Sequence, residues 1–298
     1  MFEILFDIKP DTGQVRITIR LACLMNERGN KVYYTHTSDS VFTAGLLKKG
    51  IGRVIYPDDF RWFKPDLALL DAQLPNKAAF YRKQEIDCIF VTLQKTDNRM
   101  KSDSEIPIIY LPPVPHPILS ETPRMHDFIE KIAEIRQRYA QQTVIIGLME
   151  EENGKADMEL FYKAIKRNGI ADAHYRFVIL TRDGGTEEKL FSLPDNVTVY
   201  RMPDLQALLP LCDMALTAGG LNAWIECTFA HVPMLDFSEE AIRKITPQSL
   251  NRQIKEMLDN KKHIIEQQKQ LCDLYERENG KLDETADWLI NRIKQKRK

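Results

Sequence analysis

The sequence predicts an α/β fold in two domains, each a doubly wound parallel sheet flanked by helices. Three observations predict it. Short apolar runs of strand length alternate along the chain with amphipathic stretches that stop at glycine. A proline cluster, Leu111-Pro-Pro-Val-Pro-His-Pro-Ile118, interrupts that alternation once, and proline continues neither a helix nor a central strand. The length of 298 residues suits two cores of ordinary size better than one. The boundary is therefore placed at the proline cluster, with a first domain over 1–115 and a second, including the C-terminal helices, over 116–298.

The elements follow in order. Phe2–Ile8 reads as a strand, and a helix runs from about Gln14 to Glu27, where Gly29 supplies a left-handed cap. Lys31–Thr35 is the next strand, and Val41–Lys49 the next helix, stopped by Gly50. Strands are expected at Arg53–Tyr56, Leu67–Asp71, Cys88–Leu93 and Pro107–Leu111, with a helix near Asn76–Gln84. Beyond the prolines, Phe128, Ile132, Ile135 and Tyr139 recur at helical spacing. Thr143–Met149 opens the second sheet, and a helix at Asp157–Arg167 is stopped by Asn168-Gly169. Strands follow at Arg176–Thr181 and Val197–Tyr200, then a helix at Leu205–Leu211. Met214–Thr217 is a buried strand and Val232–Phe237 another. From about Gln248 the chain reads as helix to its end, broken near Asn279-Gly280.

The chemistry concentrates between Leu211 and Phe237. The strand ending at Thr217 turns on Gly219-Gly220 into a helix opening at Leu221-Asn222. Such a turn aims unpaired backbone N–H groups at one point, which suits a phosphate. Glu226 stands one helical turn after Asn222, and a carboxylate there can accept hydrogen bonds from vicinal hydroxyls such as those of a ribose. The same spacing also describes an ordinary strand–turn–helix with Glu226 on a solvated helix face.

The segment AGGLNAWIECTFAHVPML, preceded by LPDNVTVYRMPDLQALLPLCD and followed by TPQSLNRQI, resembles the donor-binding signature of nucleotide-sugar glycosyltransferases of the two-domain GT-B architecture. The UDP-glycosyltransferases and the bacterial N-acetylglucosaminyltransferase of peptidoglycan precursor synthesis share that signature. The resemblance implies two Rossmann-like domains facing each other across a cleft, the first holding the acceptor and the second a nucleotide-diphosphate sugar, most often a UDP-sugar. It implies that Gly219, Gly220, Leu221 and Asn222 contact the diphosphate, Glu226 the ribose and Gln248 the donor sugar. Arg201-Met202 occupies the position of the base-stacking tryptophan of plant members, where a guanidinium plane can stack instead. It implies no cofactor and no metal, and inverting transfer to an acceptor that the sequence does not identify.

Some positions depart from that signature. Ala218 and Ala223 stand where a histidine and a serine are usual, and Pro247 replaces the aspartate before Gln248. In the first loop, Gly13-Gln14-Val15 aligns with a Gly-His-Val whose histidine is the general base in the glucosyl- and glucuronosyl-transferases. An amide takes no proton at neutral pH, so Gln14 is expected to position an acceptor beside Gly13, with Asp11 as the base and Asp7 as the next candidate. Asp11-Thr12-Gly13 also reads as a plain turn. Two alternatives stay open. One is a compact UDP-sugar hydrolase. The other is a non-catalytic relative or partner subunit that only binds nucleotide sugar.

Composition excludes other classes. A net charge of −1 gives no electrostatic basis for nucleic-acid binding. Five scattered cysteines without a Cys-x-x-Cys pair read as reduced thiols of a cytoplasmic protein, and the six histidines show no metal spacing. His231 takes the place of a usual loop glycine and reads as structural, as do Trp224 and Cys227. Arg182-Asp183-Gly184-Gly185 reads as a second glycine turn. The basic end, Asn291 to Lys298, reads as a frayed helix terminus or as a peripheral contact with an anionic membrane surface.

Overall fold

The computed structural model describes residues 1–8, 12–35, 50–52, 63–93, 106–114, 123–138, 143–148, 174–181, 196–201, 208–217, 221–237 and 244–297. The helices expected at 41–49 and 157–167, the strand at 53–56 and the glycine turn at 182–185 lie outside them. The chain divides into two units, Met1–Ser120 with Asp273–Lys298, and Glu121–Cys272. The sequence reading kept 116–298 together, whereas the last helix packs in the first unit.

The first unit is a five-stranded parallel sheet in the order β2-β1-β3-β4-β5. Its strands are β1 (Glu3–Asp7), β2 (Lys31–Tyr34), β3 (Leu67–Asp71), β4 (Asp87–Thr92) and β5 (Ile108–Tyr110), and its first helices are α1 (Thr12–Glu27) and α2 (Lys77–Lys83). β3 reads Leu-Ala-Leu-Leu-Asp and is buried throughout, the unbroken apolar run of a strand covered on both faces. Leu5, Ala68, Leu70, Cys88 and Phe90 pack with Ala78 and Tyr81 of α2 on one face. Ile4, Phe6, Leu67 and Leu69, the alternate positions, are also buried.

The second unit is a parallel sheet ordered β10-β9-β6-β7-β8. It comprises α3 (Pro123–Arg138), β6 (Thr143–Leu148), β7 (Tyr175–Thr181), β8 (Val197–Arg201), β9 (Met214–Thr217), α4 (Leu221–Phe229), β10 (Met234–Asp236) and α5 (Pro247–Asp259). Its two faces build separate cores. Val178, Leu180 and Ala215 meet Ile132 of α3 and Ala223 and Cys227 of α4. Phe177, Ile179, Met214 and Leu216 meet Leu250 and Ile254 of α5.

Three boundaries differ from the sequence reading. Of 205–211, residues 205–207 lie outside the described residues, Leu208 is helical, and the end is a 3-10 turn, Leu209–Leu211. β10 is shorter than Val232–Phe237, since the Val232 N–H is used to close α4 on the Cys227 carbonyl. The tail breaks at Asn260 as well as near Gly280, giving α6 (Lys261–Asn279) and α7 (Leu282–Lys296). The Asn260 side chain donates to the Glu256 carbonyl at 2.8 Å and so competes with helix continuation.

α7 buries Leu282, Ala286, Leu289 and Ile293, one stripe at helical spacing. Its basic end is docked, which corrects the frayed terminus. Arg292 donates two hydrogen bonds to Asp87, at 2.6 and 2.9 Å, and Lys296 adds a third. Arg297 pairs with Asp66 and lies 4.9 Å from the Phe2 ring centroid. Burial opposes ionisation of Asp87, but the hydrogen bonds and charges of Arg292 and Lys296 outweigh it and hold this carboxyl below the usual aspartate range. Among the described residues no helix is long and apolar enough to cross a membrane.

Candidate functional site

The position of the second-unit site follows from strand order. The chain enters the sheet at β6, adds β7 and β8 on one side, then β9 and β10 on the other. The order therefore reverses between β6 and β9, which pair with Leu148 opposite Thr217. Ligands of doubly wound folds bind at the carboxyl ends of such a strand pair. Thr217 ends β9 there, buried, and its carbonyl accepts the Phe237 N–H at 2.9 Å. Residues 218–220, with Gly219 and Gly220, lie outside the described residues, and α4 opens directly after them at Leu221-Asn222.

Glu226 is only 3% exposed. The reading of a solvated helix face is therefore set aside. Ala223, Ile225, Cys227 and Thr228 of α4 are buried with it. Burial, reinforced by the charge of Glu226, pushes the Cys227 thiol well above its ordinary range, so this cysteine stays protonated within the core.

Two other expected contacts fall on described elements. Arg201 ends β8, opposite Thr181 of β7, while Met202 lies outside the described residues. Gln248 is exposed in the first turn of α5, which follows β10. The departure at Pro247 has a local cause. Thr246 caps α5, accepting the Ser249 N–H at 3.1 Å while the Ser249 hydroxyl accepts the Thr246 N–H at 2.9 Å. Proline fits the first helical position after such a cap.

His231 also has a local cause. Its φ of 55° is left-handed, the conformation that favours glycine. The His231 N–H reaches the Thr228 carbonyl and the Val232 N–H the Cys227 carbonyl, closing α4 in a Schellman motif. The neighbouring Cys212-Asp213 pair is equally structural. Asp213 accepts Lys261 at 2.8 Å and Arg136 at 3.3 Å, fastening α6 and α3 to the entry of β9.

In the first unit the order reverses between β1 and β3, which end at Asp7 and Asp71. Asp11 lies outside the described residues, and Gly13-Gln14 fall in the first turn of α1, just beyond the end of β1. Asp7 is 6% exposed. It accepts the Thr35 hydroxyl at 2.6 Å, the Lys77 ammonium at 2.6 Å and the Tyr81 hydroxyl at 2.7 Å. A carboxylate held by three donors is an anchor between β1, the end of β2 and α2, and is poorly placed to accept a substrate proton. Burial, then the adjacent Asp7 charge, raises the Tyr81 phenol far above its usual range, so it remains a donor. Sequence reasoning missed Thr35, Lys77 and Tyr81. The available signal was the polar residue closing each buried strand: Asp7, Thr35, Asp71 and Thr92.

No protein-family model and no curated protein sequence matches the chain. Solved structures do. The calicheamicin glycosyltransferase CalG4 aligns at a TM-score of 0.65 with 14% identity, over 99% of each chain. UGT89C1 of Arabidopsis thaliana, solved with UDP, aligns at 0.65 with 12% identity, over 98% of this chain and 100% of its own. A putative UDP-N-acetylglucosamine 2-epimerase from Listeria monocytogenes aligns at 0.59 with 14% identity, over 90% of each. The chain thus has the GT-B glycosyltransferase fold.

Proposed function

We propose that this protein transfers a glycosyl group from a nucleotide-diphosphate sugar, a UDP-sugar, to an acceptor hydroxyl, with inversion and without a metal. One observation carries the reading. The buried Glu226 lies one helical turn inside α4, at the strand reversal where this fold places ligands. The start of α4 then offers backbone N–H groups and a positive dipole end to the diphosphate, and stabilises it as a leaving group. Glu226 takes the ribose hydroxyls, Gln248 the sugar, and Arg201 and Met202 flank the base. On the first unit, Asp11 deprotonates the acceptor while Gly13 and Gln14 position it, and Asp7 holds the strand end from which that loop departs.

Release of UDP from a panel of UDP-sugars, with simple acceptors or with water, tests the proposal. UDP release that Asp11→Asn lowers by roughly a hundred- to ten-thousand-fold is expected. Release unaffected by that substitution would remove Asp11 from the mechanism. A second reading rests on Gln14, which cannot serve as the histidine base does. On that reading the protein binds nucleotide sugar without turning it over, and no sugar is consumed by the native chain.

A further inference from the structure

The first unit carries a pocket of about 380 Å³, lined by Pro107, Ile108, Ile109, Glu284, Thr285 and Trp288. It belongs to neither site above, since its walls are edge strand β5 and the first two turns of α7. Its volume lies within the range of small-ligand pockets. Trp288 is 42% exposed, unusual for so large an apolar ring on an otherwise charged helix surface.

The indole is held in place. Arg292, one turn on, sits 5.9 Å from the ring centroid, and its guanidinium is itself fixed by two hydrogen bonds to Asp87. The contact favours one placement of the indole, which lowers the ordering cost of binding. Polar groups converge beside it. The Thr285 hydroxyl donates to the Lys281 carbonyl at 3.2 Å, leaving its oxygen as an acceptor, and Glu284 supplies a carboxylate. The strand contributes as well. Phe90 N–H bonds the Pro107 carbonyl and Leu111 N–H the Thr92 carbonyl, so the backbone groups facing β4 are those of the odd-numbered residues. The N–H and carbonyl of Ile108 consequently face away from β4.

An aromatic platform beside a carboxylate and a hydroxyl oxygen matches one ligand chemistry. A pyranose ring has an apolar C–H face to lie on indole and hydroxyls around its rim to bond the rest. We infer that this pocket is a saccharide-binding subsite, with Trp288 as the platform and Glu284 as the principal acceptor of sugar hydroxyls. It stands independently of the donor site in the second unit.

The full chain labelled with 5-fluorotryptophan carries reporters at Trp62, Trp224 and Trp288, assigned through Trp288→Phe. Titration with glucose, galactose, N-acetylglucosamine and glucuronic acid is expected to move the Trp288 fluorine resonance saturably for at least one sugar, in the millimolar range usual for a single-ring ligand. Glu284→Gln is expected to weaken that binding several-fold while the other two resonances keep their native positions, which shows that the variant is folded. The inference is overturned if no sugar moves the Trp288 resonance, if glycerol moves it equally, if the shift survives Glu284→Gln unchanged, or if only Trp224 responds.

Discussion

Glu226 and Asp7 are both buried carboxylates. Asp7 has three protein donors on its two oxygens and serves as an anchor. Replacing it with Asn leaves Lys77 and Tyr81 with a poorer partner and is expected to cost about 2–4 kcal/mol, read by urea unfolding. Two other residues carry strain visible in the backbone. Glu85 and His231 both adopt left-handed φ, 59° and 55°, at the ends of α2 and α4. Glu85 is free to change, because its side chain is exposed and only loosely paired with Lys64 at 3.8 Å. Glu85→Gly is expected to raise stability by about 0.5–1 kcal/mol, as relief of the left-handed penalty exceeds the added chain entropy. His231→Gly should gain less, because the His231 ring nitrogen lies 3.2 Å from the Thr228 carbonyl and that contact is lost.

At the scale of elements, strands were legible where buried on both faces and less so at sheet edges. Leu67–Asp71 and Met214–Thr217 match the sequence reading residue for residue, because an unbroken apolar run ending in a polar residue has few other uses. Edge strand β10 was overestimated, because Val232 and Pro233 are apolar for the sake of a helix stop and a sheet entry that pattern alone does not separate. The docking of α7 was not legible either. Its partners, Asp66 and Asp87, lie about two hundred positions away in sequence, and only the fold brings them together. Asp87→Asn is expected to destabilise the protein by about 1–3 kcal/mol at neutral pH. The pH dependence has a definite sign. The folded carboxyl ionises below its unfolded value, so this stabilisation is complete above about pH 4 and fades as pH falls toward the lowered folded value. Melting curves of native and Asp87→Asn proteins should therefore converge on acidification.

Across the whole molecule, two parallel sheets each present a reversal point, and Thr217 and Asp7 end strands beside them. The start of α4 was legible because strand, glycine pair and helix opening carry a local pattern in the sequence itself. The Asp7 cluster was not, since Asp7, Thr35, Lys77 and Tyr81 come from separate elements and meet only through sheet order. If the histidine missing from the first loop is the reason for low turnover, Gln14→His should raise the rate of UDP release without changing nucleotide affinity. An unchanged rate would favour the binding-only reading.

The central claim is that the start of α4 and the buried Glu226 hold a nucleotide diphosphate without a metal. Titration calorimetry of the full chain with UDP, in chelator, tests it most directly, with Glu226→Ala in parallel. Saturable binding is expected, weakened by about 1–3 kcal/mol in the variant through lost charged hydrogen bonds to the ribose. Absence of heat at millimolar UDP, or equal affinity in the native and Glu226→Ala proteins, would contradict it.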